Sequence, residues 1–306
     1  MGLGQGTGPE MALPEGQRVY TANARSALFY VVCVMAPGRL WLPSYLCKSM
    51  LVPNVAISLY DDADSLKARE GDLVVDISYF GFPIRDTVVE AALSSKAWLL
   101  EDASMSLYST PHPSAHFIIY STTKSMPLPD GGVLVSRTQL PRLRLDQPPT
   151  DWFRMSYEAR RLRTLFDSTG EDLGWFALAQ HAKRTCPTGL YAMSDYSRSN
   201  LGCVDHNAAA DSFTRNYARL GGQPVPSGVV PSGFPVYVGN RDQVLDKLYQ
   251  KKIYPPVHWR LEETVPIHHK ISHQISKCIL TLPCDPRYDI ADMDRIVSDY
   301  RICSTR

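Results

Sequence analysis

The chain has 306 residues, 44% of them hydrophobic, and its 32 basic residues nearly balance its 31 acidic ones. This length and apolar content are sufficient for one large and one smaller globular domain. The near-neutral balance, without a long run of one sign, argues against nucleic acid or a membrane surface as a partner. The seven cysteines form no CxxC pair and lie mostly within apolar runs, which indicates free thiols and predicts a cytoplasmic location.

The N-terminal segment is rich in glycine and proline. Residues 1–16 show no basic start followed by an apolar stretch, so we expect neither a signal peptide nor a membrane anchor there. We predict a flexible tail over residues 1–19, a large domain over 20–200 and a small C-terminal domain over 201–306.

Short apolar runs alternate with helix-length segments after the tail. A helix is predicted from Asn23 to Met35, with Asn or Ser near its start and Pro37-Gly38 as its stop. A second helix is predicted over 86–96. The strand-like runs lie at 40–42, 55–59, 73–76, 97–101 and 116–120. Strands that alternate with helices predict an α/β fold with a mainly parallel sheet covered by helices on both faces.

The second half of the chain is more helical. Charged helices are predicted between Leu140 and about Pro187, and a further helix over 205–220 leads into a proline- and glycine-rich loop at 221–233. The remaining predicted elements are a strand at 234–238, a helix at 240–251, a strand at 279–282 and a final helix from Ile290. Together they predict a smaller α+β domain.

Three histidines cluster near the C-terminus, at His268, His269 and His273. They lack the regular spacing and the partner carboxylates of a metal site. We therefore predict a solvated loop at this point and no metal in the protein.

Polar residues follow several of the predicted strands. In a parallel sheet, the loops at the carboxyl ends of the strands form the ligand site. The segments 43–47, 76–81, 102–104 and 121–124 each follow an apolar run, so we expect them to face one crevice.

Two residues in these loops offer a specific chemistry. Lys124 lies in a polar loop, rich in proline and glycine, between two β-like runs, and Asp102 ends an earlier strand. A lysine amine can form a Schiff base with pyridoxal phosphate, and an acid beside the pyridine nitrogen keeps the ring protonated as an electron sink. Lys124 and Asp102 suit those two roles, although an isolated Lys or Asp is usually a surface charge or a helix cap.

The ordered set of segments resembles the DegT/DnrJ family of pyridoxal-phosphate-dependent sugar aminotransferases, within the aspartate-aminotransferase-like fold type I. The resemblance runs from about Ala24 to the end of the chain. Its segments are Ala24-Arg-Ser-Ala-Leu28, Leu42-Pro-Ser-Tyr45, Asp76-Ile-Ser-Tyr-Phe-Gly-Phe-Pro83, Glu101-Asp-Ala-Ser104, Tyr120-Ser-Thr-Thr-Lys124 through Asp130-Gly-Gly132, Phe234-Pro-Val236, Val257-His-Trp259 and Leu282-Pro283.

The resemblance implies roles for individual residues. It makes Lys124 the lysine that binds the cofactor aldehyde and Asp102 the partner of the pyridine nitrogen, and both are therefore catalytic. The further cofactor contacts that it implies are Ser121, Ser26, Arg25, Tyr45 and Ser104, and the substrate contacts are Tyr79 and His258.

Simpler roles stay open for five of these residues. Ser26 can be a helix cap and Ser121 a turn hydroxyl. Tyr45 and Tyr79 can be core aromatics, and His258 can be a packed or surface histidine.

Two positions depart from the family pattern. Met105 stands where a glutamine often bonds the phenolic oxygen of the cofactor, and a thioether cannot replace that hydrogen bond. Cys47 stands where an aromatic ring often stacks on the cofactor.

The function that the resemblance implies is transfer of an amino group from glutamate or glutamine to a keto sugar, expected to be nucleotide-linked, in sugar, polysaccharide or antibiotic biosynthesis. The resemblance also implies a homodimer with shared active sites, for which segment 194–200 is a possible donor of contacts or an ordinary loop. One alternative is a pyridoxal-phosphate enzyme acting on a cyclitol or another non-nucleotide ketone. Another, suggested by Met105 and Cys47, is a catalytically weak cofactor-binding partner protein. Lys124 itself argues against the related dehydratases, which carry histidine at that position.

Overall fold

A computed structural model describes residues 11–304 of the chain. The first ten residues of the predicted tail, and residues 305 and 306 of the predicted small domain, lie outside the described part. Residues 17–19, which we predicted to belong to the tail, instead form the start of a strand, and Met11 is buried. The strand was missed because it is short and lies only partly buried at the sheet edge, so its hydrophobic pattern is weak.

A seven-stranded sheet forms the centre of the N-terminal part. Its strands are β1 (Gln17–Thr21), β2 (Leu40–Pro43), β3 (Ile57–Tyr60), β4 (Leu73–Ile77), β5 (Trp98–Asp102), β6 (Phe117–Ser121) and β7 (Gly132–Ser136). Their order across the sheet is β1-β7-β6-β5-β4-β2-β3. Strands β2 to β6 are parallel, whereas β7 is antiparallel to both of its neighbours. The predicted mainly parallel sheet is therefore confirmed, and each of the five predicted strands is present.

Helices cover both faces of this sheet. Successive side chains of a strand point to opposite faces. Leu73 and Val75 of β4 belong to the same core cluster as α1 (Ala24–Met35), whereas Val74 packs in the cluster of α2 (Asp86–Ser94). The two helices therefore lie on opposite sides of β4, as the alternation of elements predicted.

Seven helices follow in the described chain, of which α5 and α8 were not predicted. They are α3 (Thr150–Thr169), α4 (Trp175–Arg184), α5 (Asp195–Ser199), α6 (His206–Arg219), α7 (Arg241–Gln250), α8 (Lys270–Cys278) and α9 (Ile290–Ser304). Helices α3 and α4 pack against each other and form the predicted charged helical region. Helices α6, α7 and α9 share a core with the antiparallel pair β8 (Phe234–Tyr237) and β9 (Ile279–Leu282). The domain boundary between residues 200 and 201 stays a prediction.

The prediction of a solvated loop at the histidine cluster holds for His268, which is exposed in a turn, and was wrong for His269 and His273. His269 and His273 are only 7% and 5% exposed, because α8 turns its inner face towards the large sheet. The His269 Nδ1 atom lies 3.0 Å from Asp61 Oδ1, and the His273 Nε2 atom lies 3.0 Å from the Val265 carbonyl oxygen. The inner face of α8 is built from serine and histidine, so a reading based on hydrophobic periodicity could not detect it.

The cysteines and the helices show two further properties of the described chain. All seven cysteines are free thiols. Burial raises the pKa of the Cys284 thiol, with a smaller effect from the nearby Asp285 charge, so this thiol is protonated at neutral pH.

None of the helices within residues 11–304 is both long and apolar enough to cross a membrane.

Candidate active site

The carboxyl ends of β5 and β6 bring the two main candidates to one edge of the sheet. Asp102 is the last residue of β5 and pairs in register with Ile77 of β4 and Ile119 of β6. Asp102 is 8% exposed, and its Oδ1 atom accepts a hydrogen bond of 2.9 Å from the Ser104 amide. Ser104 therefore orients Asp102 through its main chain.

Lys124 lies directly beyond the end of β6. After Ser121 the chain makes a 3₁₀ turn over Thr122–Lys124, in which the Thr122 carbonyl accepts a hydrogen bond of 2.9 Å from the Met126 amide. The Lys124 side chain is exposed, and within residues 11–304 its amine makes no hydrogen bond or ion pair. The Ser121 hydroxyl lies 3.2 Å from the Thr123 hydroxyl, so its role as a turn hydroxyl and its role as a phosphate contact both stay open.

The N-terminus of α1 lies beside this turn. Thr21 of β1, Gly132 of β7 and Ser121 of β6 lie in one row across the sheet. A Cβ atom on Gly132 would come within 2.3 Å of the Asn23 carbonyl carbon, so only glycine allows the helix start to approach β7 this closely. Backbone packing therefore brings α1 and the lysine loop together.

Ser26 is not the cap of α1, so the capping alternative was wrong. The cap is Asn23, whose Oδ1 atom accepts a hydrogen bond of 2.9 Å from the Ser26 amide. The Ser26 hydroxyl is fully buried and has no hydrogen-bond partner among the described residues. A buried hydroxyl without a partner is uncommon, and its position in the first turn of a helix suits an anion.

Thr122 provides a second hydroxyl of this kind. Its Oγ1 atom is buried without a partner in the described chain, and a Cβ atom on Gly131 would lie only 2.0 Å from it. The sequence pattern did not single out Thr122, although the run Ser121-Thr-Thr123 contains three hydroxyls. Ser26 and Thr122 make the region between α1 and the lysine loop suitable for a phosphate group.

The Arg25 side chain contacts the segment 186–188, which lies shortly before Tyr191. Its Nη1 atom donates to the Cys186 carbonyl at 3.1 Å and to the Thr188 hydroxyl at 2.9 Å, whereas its Nε atom is buried without a partner. The structure thus places Arg25 at the start of α1, with its Nε donor still unpaired among the described residues.

Asp130 connects the far end of the lysine loop to α5. It is 1% exposed and accepts hydrogen bonds from the Ser194 amide at 2.7 Å, from the Ser194 hydroxyl at 2.6 Å and from the Ser197 hydroxyl. Burial raises the pKa of Asp130, and these hydrogen bonds oppose the shift. Segment 194–200 therefore contains a capped helix, and not a loop, that stabilises the lysine loop. Its role in contacts between subunits stays a prediction.

Comparison with known proteins gives matches among solved structures only. No family model matches the sequence, and no curated protein matches it. A DegT DnrJ EryC1 StrS aminotransferase from Brucella abortus is 15% identical with a TM-score of 0.65, over 95% of this chain and 86% of that one. DesI, determined in the presence of its TDP-sugar product, is 18% identical with a TM-score of 0.64, over 95% and 81%. NtdA from Bacillus subtilis with bound PMP is 12% identical with a TM-score of 0.64, over 94% and 73%.

The chain has the fold of these aminotransferases. The predicted fold type I is confirmed, and so, at the level of the fold, is the resemblance to the DegT/DnrJ proteins. The aminotransferase fold assigns no role to individual residues of this chain, so those roles rest on the geometry of the site.

Three aromatic rings stand beside this edge of the aminotransferase fold. The ring centroids of Tyr45 lie 5.6 Å from Tyr79 and 5.4 Å from Trp259. The Tyr79 hydroxyl donates to the Tyr45 carbonyl oxygen, whereas the Tyr45 hydroxyl is buried without a partner in the described residues. Burial raises the pKa of both phenols. The Tyr79 hydroxyl is thus occupied by the Tyr45 carbonyl, and the role of Tyr79 as a substrate contact stays a prediction. The Tyr45 hydroxyl keeps its donor for a ligand.

Met105 and Cys47, the two departures from the family pattern, have apolar or local contacts. Met105 packs with Phe80 and Ile279 in a cluster that the three aromatic rings adjoin. The Cys47 Sγ atom accepts a hydrogen bond of 3.1 Å from the Ser49 hydroxyl. The aromatic surface near the site is therefore supplied by Tyr45, Tyr79 and Trp259, and not by the residue at position 47.

His258 reaches the site region from the C-terminal part of the chain. Its Nδ1 atom lies 2.9 Å from the Thr281 hydroxyl, and its ring meets Phe80 edge-on at 5.8 Å. Burial, together with smaller effects from the positive charges of Lys124 and Lys183, lowers the pKa of His258 to about 3. His258 is therefore neutral at physiological pH, and it lies within the electrostatic range of Lys124.

We expect this histidine to make the protein less stable in acid. The pKa of His258 is about 3 in the folded state and ordinarily 6.5, so the unfolded state binds the extra proton between these values. The free energy of unfolding should therefore rise with pH up to about 6.5, and at pH 5 the group should cost roughly 1–2 kcal/mol relative to pH 7. Urea unfolding at both pH values should show a smaller acid loss in His258→Gln than in the wild type. Equal losses in the two proteins would contradict the shifted pKa.

Proposed function

We propose that this protein is a pyridoxal-phosphate-dependent aminotransferase that moves an amino group from glutamate or glutamine to a nucleotide-linked keto sugar. The observation that carries the proposal is that Asp102 and the Lys124 turn follow neighbouring strands at one edge of the sheet, beside the start of α1 with its unpaired Ser26 hydroxyl. The fold relatives support it, since they include aminotransferases described with PMP and with a TDP-sugar product.

The residues at this edge fit the parts of the cofactor. The Ser26 and Ser121 hydroxyls, together with the free amides at the start of α1, would hold the phosphate, because a helix N-terminus favours an anion. Arg25 and Thr122 have further unpaired donors beside it. Asp102 would face the pyridine nitrogen, and Tyr45 would offer its ring or its hydroxyl.

Each protein group then has a defined task. When bound, pyridoxal phosphate supplies a carbonyl that condenses with amines and a ring that takes up electrons. The buried Asp102 carboxyl group would hold a proton at the ring nitrogen. The Lys124 amine, once neutral, takes a proton from the α-carbon of the donor and later delivers one to the former carbonyl carbon of the acceptor. The neutral His258 imidazole can hydrogen-bond the substrate from the C-terminal part of the chain.

An absorbance experiment tests the proposal. The purified protein is loaded with pyridoxal phosphate, and its visible absorbance is followed after addition of L-glutamate, of L-glutamine and of buffer alone. We expect bleaching by one of the two amino acids, with release of the matching oxo acid. A coloured protein that neither amino acid bleaches would favour the partner-protein alternative, and a protein that binds no chromophore would overturn the proposal.

The acceptor class needs a second experiment. The bleached protein is mixed with nucleotide-linked keto sugars and, separately, with free keto sugars and cyclitol ketones. Return of the visible absorbance with the nucleotide-linked keto sugars alone supports the proposed substrate. Return of the absorbance with the free keto sugars or cyclitol ketones alone would assign the protein to the non-nucleotide alternative.

The assembly and the location belong to the same proposal. We propose a homodimer with shared active sites, located in the cytoplasm. Light scattering coupled to size-exclusion chromatography would give the mass of the assembly, and a mass of 34.2 kDa, that of one chain, would contradict the dimer.

A further inference from the structure

A second concave site adjoins the lysine loop on the side of α3. It is a cavity of about 290 Å³, which we call the α3 pocket. Its lining includes Pro127 and Pro129 of the loop, Tyr157, Arg160 and Thr164 of α3, and Tyr196 of α5. The rings of Tyr157 and Tyr196 meet edge-on at 5.1 Å. The pocket therefore combines a cation, hydroxyl groups and an aromatic wall.

Arg160 is the central charged group of this pocket. Its Nη2 atom donates a hydrogen bond of 2.7 Å to the carbonyl oxygen of Thr123, the residue directly before Lys124. Its other N–H groups make no hydrogen bond or ion pair with any residue in the described range 11–304. The remaining N–H donors of this partly buried guanidinium are thus left for a ligand.

The charged neighbours of Arg160 are themselves cations. Arg163 and Arg287 each have their own carboxylate, Asp167 at 2.7 Å and Asp285 at 2.6 Å. Burial, together with smaller effects from the charges of Arg287 and Arg163, lowers the pKa of Arg160 to about 10. Arg160 is still charged at neutral pH, so the pocket holds a positive charge without a protein counterion.

A bound oxyanion would supply the counterion that the positive charge of Arg160 lacks. A charged group that is taken out of water without a partner is costly, and a planar guanidinium matches phosphate and carboxylate oxygens with two parallel hydrogen bonds. Arg161, the next residue along α3, shows the contrast, since Glu158 already binds it at 2.6 and 2.8 Å.

We propose that the α3 pocket binds an oxyanion of a substrate and that Arg160 is the residue that recognises it. The inference rests on the proposed function, because the hydrogen bond to Thr123 places the anion beside the lysine loop. Two substrates of that reaction carry the required chemistry. One is the diphosphate of a nucleotide-linked sugar, and the other is a carboxylate of the amino donor.

Calorimetric titration of the cofactor-loaded protein tests this inference without turnover. The probes are inorganic pyrophosphate, which represents the diphosphate, and 2-oxoglutarate, which carries the donor's carboxylates but has no amine to react. The variants are Arg160→Gln, which removes the charge, and Arg160→Lys, which keeps the charge but not the planar fork. The matched control is Arg154→Gln, an exposed arginine on the same helix that lies 4.0 Å from Asp151.

We expect Arg160→Gln to weaken the binding of one probe by about tenfold or more, since a charge-assisted hydrogen bond is lost. Arg160→Lys should give an intermediate loss, and Arg154→Gln should stay within about twofold of the wild type. A loss confined to pyrophosphate assigns the pocket to the diphosphate, and a loss confined to 2-oxoglutarate assigns it to the donor carboxylate.

Two results would overturn the inference. One is that the wild type binds neither probe, and the other is that both Arg160 variants, folded by circular dichroism, bind both probes as tightly as Arg154→Gln does. If Arg160→Gln fails to fold, the comparison of Arg160→Lys with Arg154→Gln decides alone. Bleaching by L-glutamate is measured separately on the wild type. Failure of the bleaching together with Arg160-dependent probe binding would therefore count against the proposed function and not against the anion site.

Discussion

Replacing Lys124 by alanine should abolish transamination and the visible absorbance of the loaded protein. The amine is the only group of the lysine loop that can bond covalently to an aldehyde and move a proton, so both functions are lost together. We expect turnover with L-glutamate to fall by at least about 10³-fold. The measurement is the absorbance spectrum together with the rate of oxo acid release.

Lys48→Ala is a suitable control for this experiment. Lys48 is an exposed lysine in another loop that follows a strand, and it should keep both the absorbance and the rate. The pKa of His258 should rise in Lys124→Ala, because one of the charges that lower it has been removed. Full activity in Lys124→Ala would show that the catalytic lysine lies elsewhere.

Replacing Asp102 by asparagine should slow catalysis while leaving the cofactor bound. The amide oxygen can still accept the hydrogen bond from the Ser104 amide, so the local structure should be retained. The negative charge beside the ring nitrogen is lost, and we expect the rate of bleaching by L-glutamate to fall by roughly 10²–10⁴-fold. Stopped-flow absorbance measures this rate directly.

Glu101 offers a matched control for the Asp102 variant. It precedes Asp102 on β5, is 1% exposed, and accepts hydrogen bonds from the Ser78 hydroxyl at 2.6 Å and the His112 amide at 2.7 Å. Glu101→Gln should therefore affect stability more than the rate of bleaching. An unchanged rate in Asp102→Asn would remove Asp102 from the reaction.

The central strands could be predicted because they are buried on both faces. Such strands appear as continuous apolar runs, as in Leu73–Ile77, and they are recognisable without any partner. Strand β1 and helix α8 could not be predicted in this way. The first is mostly half-buried at the sheet edge, and the second buries serine and histidine on its inner face.

The candidate site could be predicted only in part, for a related reason. Lys124 and Asp102 follow strands, so the rule that ligands bind at the carboxyl ends of parallel strands was sufficient to place them together. The missing partner of Ser26 became evident only once Asn23 was seen to cap α1. Arg160 is 37 residues away from Thr123 in sequence, and no local pattern connects a helical arginine to a carbonyl in a distant loop.

The close contact between Gly132 and Asn23 has a consequence for how this site can vary. Because main chain meets main chain there, the spacing between the helix start and the lysine turn is set by the backbone of β1, β7 and β6. Side chains that face the substrate can then change without altering the distance between the start of α1 and the lysine turn, where the cofactor would bind. The backbone thus fixes the geometry of the cofactor site, while the side chains around it can change to suit a different substrate.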